Sequence, residues 1–351
     1  MEKKETMNAL VLHGIGDLRY EQVEKHEPKA GEVLLKVKAC GICSSDIPRI
    51  YTTGTYHFPT IPGHEFAGQI VALGAGVDET LLGRKAAVFP LLPCRSCGPC
   101  AQEAYAQCKS YSYFGSRCDG GFAEYLVVPV WNLVLCDDGL DYKVAALCEP
   151  SAVSIHAMKI ADLKKGQSVV VVGAGTIAFL IAAFAKNQGA AKVIICGRSQ
   201  EKLDFAGKLG YGTVNTQEGS VEDQVKELLN GESADVVFEC VGKASTVENA
   251  IQACGAFGTI VLVGNPEGDM ALEKNIYWKI LRQQITIKGT WNSSYNSKVN
   301  DWQDALSYMA QNPESFAALI TQTYPMAEYE AAMDTVRDRN QFSLKVMFEM
   351  E

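Results

Sequence analysis

Residues 168–187, SVVVVGAGTIAFLIAAFAKN, decide the fold of this chain. Ser168–Val172 is short, apolar and β-branched, which predicts a buried strand, and Thr176–Asn187 predicts a helix after a glycine-rich turn. Farther along, the sequence predicts a helix at Glu201–Leu209 and strands at Lys192–Cys196, Asp235–Cys240 and Gly258–Val263. Strands that alternate with helices predict right-handed βαβ units, and therefore an α/β domain with a doubly wound parallel sheet.

The turn between the first strand and helix has the pattern G-x-G-x-x-G/A, in which Ala178 takes the last position. The first glycine permits a tight turn, and the second lets the backbone approach a pyrophosphate at the N-terminus of the helix. Because the pattern follows a strand and opens a helix, it predicts a dinucleotide site. The predicted contacts are Gly173, Gly175, Thr176, Ile177 and Ala178.

The second strand ends in Gly197-Arg198-Ser199 and carries no acidic residue to bind the ribose 2′-hydroxyl of NAD. Arg198 is suited to pair with a 2′-phosphate, and Ser199 can add a hydrogen bond. We therefore expect NADP as the favoured cofactor, with NAD as the alternative. The later strand ends at Val241, Val263 and Gly264 complete the predicted cofactor-binding residues.

Length and charge narrow the class of protein. The 351 residues suit about two domains, and the formal net charge of −9 argues against nucleic-acid binding. That charge does not exclude one small phosphorylated substrate, for which one or two arginines suffice. No apolar run approaches the roughly 20 residues of a membrane helix. The N-terminal sequence lacks the apolar core of a signal peptide, so we expect a cytoplasmic chain with no membrane partner.

Four of the twelve cysteines, Cys94, Cys97, Cys100 and Cys108, lie within one 15-residue stretch. Such spacing lets one loop surround one ion, and structural zinc is tetrahedral and often bound by thiolates alone. We therefore predict a structural zinc site in a lobe at about residues 90–110. A disulfide pair and an iron–sulfur cluster are the alternatives.

Three separated fragments carry candidate ligands for a second, catalytic zinc: GICSSD at 41–46, GHE at 63–65 and CEP at 148–150. Cys43, His64 and Glu149 offer three protein ligands and leave a position open for substrate, as catalytic zinc requires. Glu65 is either a fourth, exchangeable ligand or an orienting residue. Taken singly, the histidine could be structural, and Cys40 with Cys43 could be a redox pair.

These fragments, the four-cysteine stretch and the glycine turn occur in an order and spacing that resembles the zinc-containing medium-chain dehydrogenase family over essentially the whole chain. The strings SDIPRI (45–50), PLLPC (90–94), FGSR (114–117), DGGFAEY (119–125) and KILR (279–282) resemble the branch that acts on polyol phosphates of the galactitol 1-phosphate type. In that branch an aspartate stands where this chain has Gly197, a pattern found in NAD enzymes.

The resemblance implies a GroES-like β catalytic domain at 1–153, a Rossmann cofactor domain at 154–295 and a return of residues 296–351 to the catalytic domain. A helix at Asp301–Gln311 and a strand at Leu344–Glu349 are predicted within that return. The resemblance also implies a homodimer or homotetramer.

The expected chemistry is hydride transfer between a nicotinamide and a secondary alcohol, with zinc stabilising the alkoxide. Ser45 is placed to accept and relay the hydroxyl proton, and the resemblance implies that Asp46 supports a zinc ligand. Both residues could instead cap a helix.

Arg49 and Arg117 are candidates to bind the phosphate of a polyol phosphate, unless they are ordinary surface or salt-bridging arginines. The resemblance also places the loop of Phe114 at the substrate mouth. Asn292 stands where sorbitol-type enzymes carry a substrate-binding arginine. The competing functions are an unphosphorylated polyol dehydrogenase, a threonine-type dehydrogenase and a non-catalytic, nucleotide-binding zinc protein.

Overall fold

A computed structural model of the chain describes residues 5–338 and 340–351. The chain divides into two compact units, one of Met1–Glu149 with Ser294–Glu351 and the other of Pro150–Ser293. The sequence predicted the divisions at 153/154 and 295/296. Within the described residues, no helix is long and apolar enough to cross a membrane.

The N-terminal part of the first unit is made mostly of strands. They are β1 (Thr6–Gly14), β2 (Asp17–Glu24), β3 (Glu32–Ile42), β4 (Glu65–Leu73), β5 (Lys85–Val88), β6 (Leu91–Leu92), β7 (Ser112–Tyr113), β8 (Tyr125–Pro129) and β9 (Leu133–Leu135). Its α-helices are short: α1 (Asp46–Tyr51), α2 (Gly98–Ala101) and α3 (Tyr142–Ala146).

Strands and helices alternate in the second unit. They are α4 (Cys148–Ala161), β10 (Ser168–Val172), α5 (Thr176–Asn187), β11 (Lys192–Gly197), α6 (Gln200–Lys208), β12 (Gly212–Asn215), α7 (Val221–Leu228), β13 (Ala234–Glu239), α8 (Ala244–Ala253), β14 (Cys254–Leu262), α9 (Lys274–Gln283) and β15 (Thr286–Gly289). All six strands are parallel, in the order β12-β11-β10-β13-β14-β15. This is the predicted doubly wound sheet, and its strand order reverses between β10 and β13.

The C-terminal segment rejoins the first unit. It holds α10 (Asp301–Gln311), α11 (Pro313–Ala317), β16 (Ile320–Pro325), α12 (Tyr329–Arg337) and β17 (Lys345–Glu349). The helix predicted at 301–311 has these bounds, and the predicted last strand begins one residue early. β17 pairs antiparallel with β3, with Phe348 opposite Cys40, in a seven-stranded sheet of order β16-β17-β3-β4-β5-β9 with β8 also on β3. Residues 296–351 therefore share a sheet with the N-terminal strands.

Burial explains the sequence patterns of both units. The four valines of β10 are at most 1% exposed, as expected for a parallel strand whose sheet is covered by helices on both faces. Ala178–Ala185 of α5 are all buried, which accounts for that helix being apolar on every side. In the first unit, Phe122 and Phe348 meet edge to face at 5.0 Å and join the β17 strand to the core.

Candidate metal centres and cofactor site

Cys43, His64 and Glu65 meet at one end of the β3–β4 pair. Cys43 follows β3 directly, and His64 and Glu65 stand at the start of β4, with Gly41 opposite Glu65. A Cβ atom at Gly41 would overlap the Glu65 carboxylate, so this glycine provides the space that the carboxylate occupies. One donor atom from each of the three residues lies within 4.8 Å of the other two. A sulfur, an imidazole nitrogen and a carboxylate oxygen at this spacing form a donor set that fits zinc.

Asp46 holds two of these groups in place. Its Oδ2 accepts a hydrogen bond of 2.9 Å from the Cys43 backbone N–H, and its Oδ1 lies 3.4 Å from His64 Nδ1. Burial alone would raise the pKa of Asp46, but the charges of His64 and Arg49 and the hydrogen bond from the Cys43 N–H together offset burial and lower that pKa. A carboxylate in this position orients a ligating histidine.

Ser45 is the residue that precedes α1, yet its side chain makes no capping hydrogen bond. Its hydroxyl instead donates to Cys43 Sγ at 3.1 Å and accepts from Arg49 Nη1 at 3.0 Å. Arg49 Nη1 also lies 3.4 Å from Asp46 Oδ1. The Arg49 guanidinium therefore holds the Ser45 hydroxyl beside the Cys43 sulfur. The alternative prediction, that the Ser45 side chain caps α1, is wrong.

Sequence reasoning missed Lys345, which comes from β17. Its Nζ lies 2.5 Å from Glu65 Oε2 and donates to the Ile42 carbonyl at 3.2 Å, and the residue is 3% exposed. Burial would lower the pKa of Lys345, but the charges of Glu65 and Cys43 and the hydrogen bond to Glu65 together outweigh burial and raise that pKa. The one signal in the sequence was a lysine that opens the strand KVMFE and is followed by three apolar residues.

Glu149 lies in the first turn of α4 and is 8% exposed, but it is not one of the three residues within 4.8 Å of one another. Its Oε1 accepts a hydrogen bond of 3.1 Å from the Tyr113 hydroxyl. The Tyr113 ring also contacts the His64 ring, with centroids 5.8 Å apart. Burial is the main cause that raises the pKa of Glu149, to about 7. Sequence reasoning missed Tyr113 as well.

The four clustered cysteines form a second donor set. Their sulfur atoms are 4.0 Å apart for Cys94 and Cys100, 3.5 Å for Cys97 and Cys100, and 3.8 Å for Cys97 and Cys108. A tetrahedron with Zn–S bonds of about 2.3 Å has edges of roughly 3.8 Å. All twelve cysteines are free, so the disulfide alternative is wrong. This set of four thiols fits a closed zinc site.

The glycine turn leaves room for a dinucleotide. Gly173 has a φ of +124°, and a Cβ atom there would lie 3.0 Å from Val241. Gly175 precedes α5, and a Cβ atom there would meet no atom within 4 Å. The first glycine thus permits the turn, and the second keeps the space at the helix N-terminus open for a pyrophosphate. Thr176, Ile177 and Ala178 form the first turn of α5.

The other predicted cofactor residues lie at the carboxyl ends of neighbouring strands. Gly197 ends β11, and Ser199 precedes α6 without a capping hydrogen bond. The Val263 and Gly264 N–H groups donate to the Glu239 carbonyl at 2.8 and 3.0 Å, which fixes the segment after β14 against the end of β13. Carboxyl ends at the reversal of strand order are where doubly wound sheets bind nucleotides.

Lys202, which sequence reasoning missed, lies in the first turn of α6, four residues after Arg198. It is half-buried, and desolvation lowers its pKa. A cation held partly out of water gains from a nearby anion, and a 2′-phosphate beside Arg198 would supply one. Its signal in the sequence was a lysine one turn past the predicted phosphate ligand.

Two predicted substrate residues, Arg117 and Phe114, have side-chain contacts within the first unit. The Arg117 guanidinium lies over the rings of Tyr56 and Tyr111, at 4.1 and 4.3 Å. Its Nη atoms donate to the Tyr111 carbonyl and the Tyr56 hydroxyl, each at 2.9 Å. Phe114 is 5% exposed and meets Phe66 edge to face, so it is a core residue.

Asn292 lies in the second unit with a φ of +55°, and its side chain accepts a hydrogen bond from the Ser293 hydroxyl at 3.0 Å. Asparagine tolerates this left-handed conformation better than most residues. The backbone conformation at this position therefore suits an asparagine.

The fold and both donor sets define a class, and comparison with known proteins agrees. Residues 29–138 match the family "Alcohol dehydrogenase GroES-like domain", and residues 173–311 match the family "Zinc-binding dehydrogenase". The chain belongs to the zinc-containing medium-chain dehydrogenase family and is a zinc-dependent oxidoreductase of the alcohol and polyol dehydrogenase class.

Among individual relatives, the galactitol 1-phosphate 5-dehydrogenase of Escherichia coli K12 is 35% identical over 90% of this chain and 92% of its own length. A sorbitol dehydrogenase of Halalkalibacterium halodurans is 32% identical over 94% of this chain and 96% of its own length. The crystal structure of galactitol-1-phosphate dehydrogenase from Escherichia coli is 34% identical, with a TM-score of 0.88 and coverage of 98% of this chain and 100% of that chain. A zinc-binding dehydrogenase from Sinorhizobium meliloti, solved with NADP, is 27% identical, with a TM-score of 0.88 and coverage of 99% and 100%.

Proposed function

We propose that the chain transfers a hydride between NADP, or less favourably NAD, and a secondary alcohol of a polyol phosphate like galactitol 1-phosphate, or runs the reverse reaction on the ketose. The observation that carries the proposal is the Cys43–His64–Glu65 donor set, with Arg49 two hydrogen bonds from the Cys43 sulfur. The galactitol 1-phosphate relative supports the substrate class.

Two zinc ions per chain are part of this proposal. Cys43, His64 and Glu65 would hold one ion, which would supply Lewis-acid stabilisation of negative charge on the substrate oxygen, and the nucleotide site would hold the nicotinamide that supplies hydride acceptance. Cys94, Cys97, Cys100 and Cys108 would hold the other ion in a closed site that stabilises the fold. Glu65 is the carboxylate grouped with Cys43 and His64 in the donor set, and Glu149 is the exchangeable one.

Ser45 and Arg49 have distinct parts in moving the proton. A hydroxyl has one donor and two acceptor positions, and Ser45 uses its donor on Cys43 Sγ and one acceptor position on Arg49. The remaining acceptor position can accept a hydrogen bond from the substrate hydroxyl. As Ser45 takes that proton it releases its own hydroxyl proton to solvent, to which it is partly exposed. A guanidinium only donates, so Arg49 orients Ser45 and does not carry the proton onward.

Of the two candidate arginines, Arg49 is the better partner for a substrate phosphate. Both Nη atoms of Arg117 already donate within the fold, and tyrosine rings cover it. Arg49 is 30% exposed, and the hydrogen bonds found for it among residues 5–338 and 340–351 all involve Nη1. Arg49→Ala should therefore lower kcat/KM for a polyol phosphate at least about tenfold more than for the unphosphorylated polyol. Equal losses on both substrates would show that Arg49 does not bind the phosphate.

The residues at and after the end of β11 are the reason for proposing NADP as the favoured cofactor. Gly197 offers no carboxylate, while Arg198, Ser199 and the half-buried Lys202 offer two cations and a hydroxyl for a 2′-phosphate. The Sinorhizobium meliloti structure with NADP supports this choice.

Two other substrate classes remain as alternatives, and relatives support each. The sorbitol dehydrogenase supports a free polyol, and an L-threonine 3-dehydrogenase of Vibrio parahaemolyticus, 28% identical over 90% of this chain, supports an amino alcohol. Absorbance at 340 nm with phosphorylated polyols, free polyols and threonine, each with both cofactors, separates them. Faster turnover of a free polyol would select the sorbitol-type reading. No turnover with any substrate would favour a non-catalytic nucleotide-binding protein.

We also propose a homodimer or homotetramer. Helix α9, the edge strand β15 and the segment after β15 expose large apolar side chains: Tyr277, Trp278, Leu281, Ile287 and Trp291 are 39–56% exposed. An uncovered strand edge beside such a patch is typical of an interface between subunits. Light scattering should give a mass of two or four chains, and Trp278→Glu should lower it.

A further inference from the structure

We propose that Tyr113 is a positioning residue that holds the Glu149 carboxylate beside the Cys43–His64–Glu65 donor set and keeps it from becoming a permanent ligand there. The inference rests on the proposed zinc site at those three residues. It assigns a role to a hydroxyl that neither motif nor family resemblance singled out.

Glu149 needs such a partner because it is 8% exposed. A buried carboxylate without hydrogen bonds is unfavourable. Throughout residues 5–338 and 340–351, the hydrogen bond found to its side chain comes from Tyr113, at 3.1 Å to Oε1. The phenol therefore decides where this oxygen points.

The Tyr113 ring has little freedom to follow Glu149 if the carboxylate moves. Tyr113 is paired with Leu91 in the β6–β7 ladder. Its ring contacts His64, with centroids 5.8 Å apart, and meets the Tyr111 ring edge to face at 6.2 Å. The Arg117 guanidinium in turn covers Tyr111 at 4.3 Å. The stacked side chains fix the hydroxyl, and the hydroxyl fixes Glu149.

A released Glu149 would compete with substrate. Carboxylate oxygens are good zinc ligands, and a catalytic site works only while one coordination position stays open. Glu149 lies outside the set of three residues whose donor atoms are within 4.8 Å of one another. Loss of the Tyr113 hydroxyl therefore frees Glu149 to fill the open position, which should strengthen metal retention and weaken turnover.

Tyr113→Phe removes the hydroxyl and leaves the ring against His64 and Tyr111. The matched control is Tyr111→Phe, which also removes a phenol hydroxyl but has no hydrogen bond to Glu149 in the described chain. Zinc-loaded proteins are mixed with an excess of a coloured chelator, and release is followed by absorbance. Cys43→Ala, which retains only the four-cysteine site, identifies the phase that belongs to the catalytic metal.

We expect Tyr113→Phe to slow release of the catalytic zinc about tenfold or more and to lower kcat, while Tyr111→Phe releases zinc at the wild-type rate. In a Glu149→Gln background, Tyr113→Phe should have no effect on release. Release at the wild-type rate or faster would overturn the proposal, and faster release would identify a merely structural tyrosine. If wild-type protein lacks the Cys43-dependent zinc, the proposed function fails with it. If two zinc ions are present but no polyol phosphate reacts, only the substrate assignment fails.

Discussion

The buried Lys345–Glu65 pair gives a quantitative prediction. Lys345 is 3% exposed, its Nζ is 2.5 Å from Glu65 Oε2, and the pair joins residues 280 positions apart. Removing one partner of a buried ion pair leaves an uncompensated charge, at a cost of about 3–5 kcal/mol. We expect Lys345→Met to lower the free energy of unfolding by this amount in Cys43→Ala protein, which lacks the catalytic zinc. The loss should be smaller in zinc-loaded protein, because the metal then compensates Glu65.

Urea denaturation followed by tryptophan fluorescence measures these differences. The Glu65→Gln/Lys345→Met double variant should recover most of the stability, because neither charge is then buried. A loss below about 1 kcal/mol for Lys345→Met, or a double variant as unstable as the single one, would refute this account of the pair.

Three further predictions concern metal, cofactor and pH. Elemental analysis should find about two zinc ions per chain, and active enzyme without zinc would contradict this. Cys43→Ala should lose activity but little stability. Cys97→Ala should lose stability, because a closed metal site contributes folding free energy. Wild-type kcat/KM should favour NADP over NAD by roughly tenfold or more, and a wild type that prefers NAD would contradict the assignment. The double change Gly197→Asp with Arg198→Ile should reverse the preference, although the Cβ atom added at position 197 would lie 3.0 Å from Ala174. The pKa of Glu149 is raised from 4.5 to about 7, so the folded state binds this proton more tightly than the unfolded chain does. The proton on Glu149 therefore stabilises the folded state below pH 4.5. This stabilisation is lost as pH rises to about 7, by roughly 3 kcal/mol at most. Denaturation of zinc-free protein from pH 4.5 to 8 should show this loss, and the idea fails if Glu149→Gln follows the same pH dependence.

Most of the fold could be predicted from local sequence patterns. The valine run of β10, the glycine turn and the apolar helix α5 each have a distinct pattern, so the doubly wound sheet was predictable from residues 168–263. The four clustered cysteines were equally predictable, since their spacing alone brings the sulfur atoms together. The helix at 301–311 followed from its composition.

The contacts that sequence reasoning missed join distant residues. Lys345 reaches Glu65 only because β17 pairs with β3, and Tyr113 reaches Glu149 across 36 positions. Register and tertiary packing decide such pairs, and no local pattern records them. Phe114 and Arg117 were predicted for the substrate site because an aromatic residue and an arginine in a loop suit one. Their contacts, Phe114 with Phe66 and Arg117 with two tyrosines, likewise follow from tertiary packing.

The most direct test of the central claim is the initial rate of NADP reduction at 340 nm with galactitol 1-phosphate, for wild type and Cys43→Ala at equal concentration. We predict steady reduction by the wild type and at least a thousandfold less by Cys43→Ala, on the order of the 4 kcal/mol or more that a lost electrostatic stabiliser contributes to a transition state. Comparable rates for the two proteins would contradict the account, because hydride transfer would then not depend on the metal that Cys43, His64 and Glu65 are proposed to hold.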